Sequence, residues 1–163
     1  MSHDSCTPHQ HCRDGRLLDQ HRAMLNKAGL SDEIIRGRGY RSARSQPDIQ
    51  ALGFQPRQGR APALVIPIWG RDGQTATHLI RPDSPRSKDG RPITFELPQG
   101  TPLTIDVPAR CREGVADVSK ELWIVDGPIE ADAMATKGFN SVALLGSRAW
   151  RHLRKPGRPV LPD

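Results

Sequence analysis

A chain of 163 residues with 36% apolar and 4% aromatic residues, 15 glycines and 15 prolines describes one loop-rich globular domain, or one domain and a piece of a second, around a modest core. The 24 lysines and arginines exceed the 18 acids by six, a balance that favours polyanions, and nucleic acid before membrane because no basic amphipathic helix is evident. No run approaches the roughly 18 apolar residues of a membrane span, the N-terminus has no apolar signal region, and Cys6, Cys12 and Cys111 are too sparse for a disulfide framework, so a cytoplasmic protein without disulfides is expected.

Residues 1–15 are polar and carry no hydrophobic period, which predicts a disordered tail. Cys6, His9, His11 and Cys12 within it are chemically suited to zinc, but their spacing differs from the two separated pairs of structural zinc sites. From Leu17 the positions Leu17, Leu18, His21, Met24, Leu25 and Ala28 follow a helical spacing that ends at Gly29. Ser31, followed by Asp32 and Glu33, caps a second helix that stops near Gly37 or Gly39. "QPDIQALGF" predicts a third short helix, with Pro47 in its first turn and Gly53 as its stop.

The period then changes. Ala63–Trp69 and Thr75–Arg81 flank the turn residues Asp72 and Gly73, which predicts a hairpin. Strand signals continue at "PITFELP" and "LTIDVP", while Pro67, Pro82, Pro92, Pro98, Pro102 and Pro108 point to edges and short strands. A strand over Glu121–Val125, a helix over Pro128–Lys137 capped by Gly138, and a strand over Ser141–Leu145 predict a right-handed parallel crossover. His21 and His78 read as satisfied structural histidines, and Trp123, inside the apolar run "LWIV", reads as core. Trp69 and Trp150 are the tryptophans available to stack on bases, Trp150 the better placed because Arg148 and Arg151 flank it.

Four blocks, "LSDEIIRGRGYRS", "LVIPIWGRDGQTATHLIRPDSPR", "DVPARCRE" and "LWIVDGPIEADAMATKGFNSVALLGSRAWR", in that order and spacing, resemble an uncharacterised plasmid and phage primase-associated family with a C-terminal Toprim-like domain. The resemblance runs from about Leu17 to Arg154. It implies an α+β primase-core-like region over 16–112, a truncated α/β Toprim-like strand–helix–strand unit over 119–155, and a tail over 156–163. It also implies a catalytic and metal-binding acid at Asp126, where the family carries Glu before Gly; Glu130 stands where Lys is common. The family's later Asp-x-Asp pair, which with the first acid holds magnesium, has no counterpart after Leu145, where Asp163 is the sole acid. Asp126 is also one methylene shorter than Glu, enough to misplace a metal ligand. The resemblance therefore implies magnesium in full-length relatives, no cofactor in this stretch, and no activity in isolation.

The arginines carry the rest of the expectation. Guanidinium groups bind phosphate in bidentate fashion, and Arg81, Arg86, Arg148, Arg151 and Arg154, with Trp150, are the candidate contacts to single-stranded or template DNA. For Arg81 and Arg86 the competing reading is a turn salt bridge with Asp83. Two alternatives to a DNA-binding fragment stand beside it: a non-functional remnant of a truncated gene, and a non-catalytic module that docks on a replication helicase.

Overall fold

The structure is a computed structural model that describes residues 17–102 and 104–145. Its first helix, α1 (Asp19–Lys27), turns His21 and Leu25 inward, and Gly29, at φ +88°, reverses the chain after it. In α2 (Asp32–Arg38) the Ser31 hydroxyl accepts the Ile34 amide, and Gly39, at φ +81°, ends the helix in the left-handed region that glycine adopts without strain. A short strand, β1 (Arg41–Ala43), leads into α3 (Gln46–Gln50), which opens on a reciprocal capping box between Ser45 and Asp48.

Strands β2 (Ala63–Trp69) and β3 (Thr75–Pro82) form the expected hairpin, and β1 pairs with the other side of β2, so the antiparallel order is β1-β2-β3. The alternation of β2 explains its unbroken apolar run. Leu64, Ile66 and Ile68 face Leu25, Ile34, Ile35, Ile129 and Cys111, while Ala63 and Val65, with Ile80 beside them on β3, pack with Ile49 and Phe54. A strand covered on both faces has no polar side to display.

Two minimal strands, β4 (Ser87–Lys88) and β5 (Arg91–Pro92), make a separate hairpin. A 3-10 turn at Ala109–Cys111 runs into α4 (Arg112–Val115), and β6 (Trp123–Val125), α5 (Pro128–Thr136) and β7 (Ser141–Ala143) complete the chain. β6 and β7 pair in parallel across α5, as the sequence predicts. Asp106 pairs antiparallel with Ala143 through two 2.9 Å backbone bonds, and Val107 N–H donates to Trp69 O at 2.9 Å. β7 is therefore flanked on both sides and joined to the end of β2, while β6 has a neighbour on one side only among the described residues.

Several expectations need correction. "PITFELP" and the described part of "LTIDVP", Thr104 to Pro108, do not form regular strands; beyond Pro92 in β5 they contribute isolated pairings, Glu96 with Ile80 and Asp106 with Ala143. Pro67 lies not on an edge but in the middle strand of its sheet. The reason is local: β1 reaches only to Val65, so the side of β2 toward which Pro67 turns its carbonyl has no strand beside it, and that carbonyl accepts Arg38 Nη1 at 3.2 Å instead. The missing N–H would have had no ladder partner there.

Candidate functional site

Asp126 follows the last residue of β6, at the C-terminal edge where the sequence places it, and is exposed. Gly127 is the residue before α5, and a Cβ added there would lie 2.5 Å from Glu130 Oε2, so the glycine leaves room for that carboxylate to fold over the helix start. An acid in this position suits the dipole at the first turn of α5. Among the described residues no three His, Cys, Asp or Glu side chains converge to hold a metal. Magnesium is held through carboxylates and substrate oxygens in near-octahedral geometry, and one exposed carboxylate does not fit that requirement. No catalytic step is assigned to Asp126.

The strand that carries Asp126 is itself unusual. Trp123 is 42% exposed and Ile124 55%, with Leu122 and Phe139 also exposed beside them. Trp123 packs edge-on against Phe139 with ring centroids 5.8 Å apart, so the reading of Trp123 as core is wrong. β7, in contrast, is buried throughout, because Asp106 covers its second side.

Arg81 and Arg86 stand at the other end of the molecule's main sheet. Arg81 donates to the Met24 sulfur and its guanidinium lies 5.9 Å from the Phe95 ring centroid. Arg86 is held by Glu96, to which Nε donates at 2.8 Å and Nη2 at 2.7 Å; the buried Glu96 also accepts the Gly59 amide. Asp83 pairs with neither arginine. His21 Nε2 meets Asp83 Oδ1 at 2.7 Å, and Gln20 Nε2 donates to Asp83 Oδ2 at 3.1 Å. Ser42 Oγ accepts the Leu18 amide at 2.8 Å and lies 2.7 Å from His21 Nδ1. Both nitrogens of the buried His21 are satisfied, as a structural histidine requires. His78 is only partly buried; burial, then the nearby Arg41, hold its pKa below the ordinary value.

The most elaborate polar cluster is centred on Arg38, Asp106 and Asp132, outside the candidate site residues. Arg38, with its side chain 1% exposed, donates through Nε and Nη2 to both oxygens of Asp132 at 2.7 and 2.6 Å, and through Nη1 to Asp106 Oδ1 at 2.6 Å. Tyr40 donates to Asp132 at 2.7 Å, and Asp106 Oδ1 also accepts the Trp69 amide at 2.9 Å. Two guanidinium groups lie over the Trp69 ring, Arg38 at 5.3 Å and Arg112 at 4.6 Å from its centroid, so it serves as a platform for cations inside the fold. One cation thus answers two buried carboxylates. Burial raises the pKa of Asp132, Arg38 lowers it, and Asp106 adds to the rise, leaving it above the ordinary value. Burial alone would lower Arg38, but Asp132 and Asp106 more than reverse this.

The sign of the pH effect follows. A carboxyl raised in the folded state binds its proton more tightly there than in the unfolded chain, so its contribution to stability is present in acid and lost as pH rises through the raised value. Asp48, held down by the Arg44 and Ser45 amides, and Asp117, held down by Ser119, act in the opposite direction. The Asp132 component is therefore read as a difference. Between the ordinary Asp range and neutrality, the stability of the native chain should fall with pH relative to Asp132→Asn, measured by urea unfolding; parallel curves would remove the assignment.

Arg148, Trp150, Arg151 and Arg154, and the Cys6, His9, His11 and Cys12 group, lie outside the described residues. No helix of the described residues is long and apolar enough to cross a membrane.

In overall fold the chain is similar to the catalytic and RNA polymerase domains of solved DNA primases. It is similar to the zinc-binding and RNA polymerase domains of the Aquifex aeolicus primase, with a TM-score of 0.59 at 15% identity over 79% of this chain and 37% of that one. It is similar also to the RNA polymerase domain of the Mycobacterium tuberculosis primase DnaG, with a TM-score of 0.56 at 18% identity, covering 76% of this chain and 48% of that one. A DnaG primase catalytic domain solved bound to ssDNA matches with a TM-score of 0.50 at 19% identity over 79% of this chain and 49% of that one. Identities this low establish the fold alone, and the chain spans less than half the length of each of these structures. No family model matches the sequence, and no curated protein matches it.

Proposed function

We infer that this chain binds single-stranded or template DNA as the primase-core and Toprim-like portion of a replication protein from a plasmid, phage or integrated element, and that it is catalytically incomplete. The observation that carries the reading is the primase catalytic-domain fold in a chain of formal charge +6, one of whose structural neighbours was solved bound to ssDNA. The incompleteness rests on the resemblance alone, in which Asp126 stands where the family carries the longer Glu. In this reading magnesium chemistry belongs to full-length relatives, and another stretch of polypeptide supplies the missing ligands. The edge of β6 that is unpaired among the described residues, with Leu122, Trp123 and Ile124 exposed along it, supports such a completion. The same apolar edge favours a second reading, a non-catalytic module that docks on a replication helicase. A non-functional remnant would bind neither DNA nor partner.

The binding test is the salt dependence of affinity for a single-stranded oligonucleotide. Each phosphate neutralised contributes about 0.7 to the slope of log K against log salt, so contacts by Arg148, Arg151 and Arg154 together contribute about two units, which their joint replacement by alanine removes. A flat salt profile in the native chain would sink the DNA-binding reading. Magnesium- or manganese-dependent primer synthesis or nicking that Asp126→Asn abolishes would overturn the incompleteness.

A further inference from the structure

The cleft between α1 and the end of β3 has a volume of about 320 Å³, large enough for one small ligand and too small for a length of strand. Met24, Leu64, Pro82 and Pro85 supply apolar wall, and Gln20, Arg81 and Asp83 supply polar atoms. The geometry points to a pocket for a single unstacked nucleobase, held by an edge that pairs an exocyclic amine with a ring acceptor, as cytosine and adenine do. The inference deepens the DNA-binding reading of the preceding section and rests on it.

The carboxylate of Asp83 is the centre of the argument. It is fixed by a chain of bonds that begins in backbone: Leu18 N–H donates to Ser42 Oγ, the Ser42 hydroxyl donates to His21 Nδ1, and His21 Nε2–H donates to Asp83 Oδ1. This assignment gives every atom of the relay a partner. Gln20 fixes the second oxygen at 3.1 Å. Yet the Asp83 side chain remains 32% exposed, while the His21 side chain that orients it is 4% exposed. The result is an acceptor of fixed direction, with lone pairs left over, on the wall of a cleft.

Such an acceptor distinguishes bases. A carboxylate accepts the N4 amine of cytosine or the N6 amine of adenine, and repels the O4 carbonyl that thymine presents at the same place. The Gln20 amide, which gives one hydrogen to Asp83, has a second hydrogen for the adjacent ring acceptor. Arg81 supplies a cation for the phosphate that follows, and Phe95 beneath it a ring that supports the guanidinium.

Fluorescence anisotropy of the full chain with labelled dC and dT oligonucleotides of equal length, at one salt concentration, tests the pocket. Preference for dC by about tenfold is expected, the discrimination of one directed base contact. Asp83→Asn should weaken dC binding toward the dT value and leave dT unchanged. Gln20→Leu, on the exposed side of α1, should reduce the preference in the same way, and it keeps the test valid if Asp83→Asn does not fold. Salt-dependent binding with equal affinity for dC and dT overturns the pocket while leaving the DNA-binding reading intact. Variants that keep the full preference overturn it as well. Binding of neither oligonucleotide overturns both.

Discussion

Arg38→Ala lowers the stability of the folded chain by about 3–5 kcal/mol, a large share of the roughly 5–15 kcal/mol that a domain of this size has. The loss exceeds that of an ordinary truncation because of what remains behind. Asp106 and Asp132, with side chains 0% and 2% exposed, would lose their common cation, and each would have to protonate or draw in water. Asp106 Oδ2 already has no hydrogen-bond partner among the described residues, so that carboxylate has little to fall back on. The Pro67 carbonyl would lose its donor too, at the place where β1 no longer reaches. Two companion variants separate charge from packing. Tyr40→Phe removes one bond to Asp132 and costs about 1 kcal/mol, whereas joint replacement of Arg38, Asp106 and Asp132 by Met, Leu and Leu costs less than Arg38→Ala, because no buried charge is left and only the Pro67 carbonyl, the Trp69 amide and the Tyr40 hydroxyl lose partners. Urea unfolding of the three variants decides the matter. A loss below about 1 kcal/mol for Arg38→Ala would show that the cluster is not holding α2, β2 and α5 together.

Hydrogen exchange should divide the molecule by about three orders of magnitude or more, since local opening energies run from near zero at exposed edges to the full unfolding energy in core strands. The amides of Val65, Ile66 and Ile68 belong to the slow class. Their strand is paired along its length with β3 and covered on both faces. Ile124 belongs to the fast class. Trp123 N–H turns toward β7 to meet Asn140 O at 2.9 Å, so by the alternation of a parallel ladder the Ile124 N–H turns toward the open edge. β7 should fall between the two, since it is buried and flanked by both β6 and Asp106. Equal and strong protection of β2 and β6 would mean that a second copy or another polypeptide covers the edge, and the remnant reading would then be dropped.

Local chemistry was legible because it is decided by neighbours in the chain. Ser31 and Ser45 cap helices through amides three residues on, Gly29, Gly39 and Gly53 end them at positive φ, and Asp72-Gly73 closes the hairpin. The parallel crossover over 123–143 was legible for a related reason, since so short a helix between two strands returns them side by side. What required the tertiary structure is whatever depends on a partner far along the chain. Nothing local to Arg38 marks it for burial, and only the fold brings it to Asp106, 68 residues away, and Asp132, 94 residues away. His21 reads as a lone helical histidine until β3 brings Asp83 to it across 62 residues. The apolar run around Trp123 matches a buried strand in composition, but burial is a property of the neighbours. Among the described residues β7 has one on each side and β6 on one side only, so the same hydrophobic pattern is core in one strand and surface in the other.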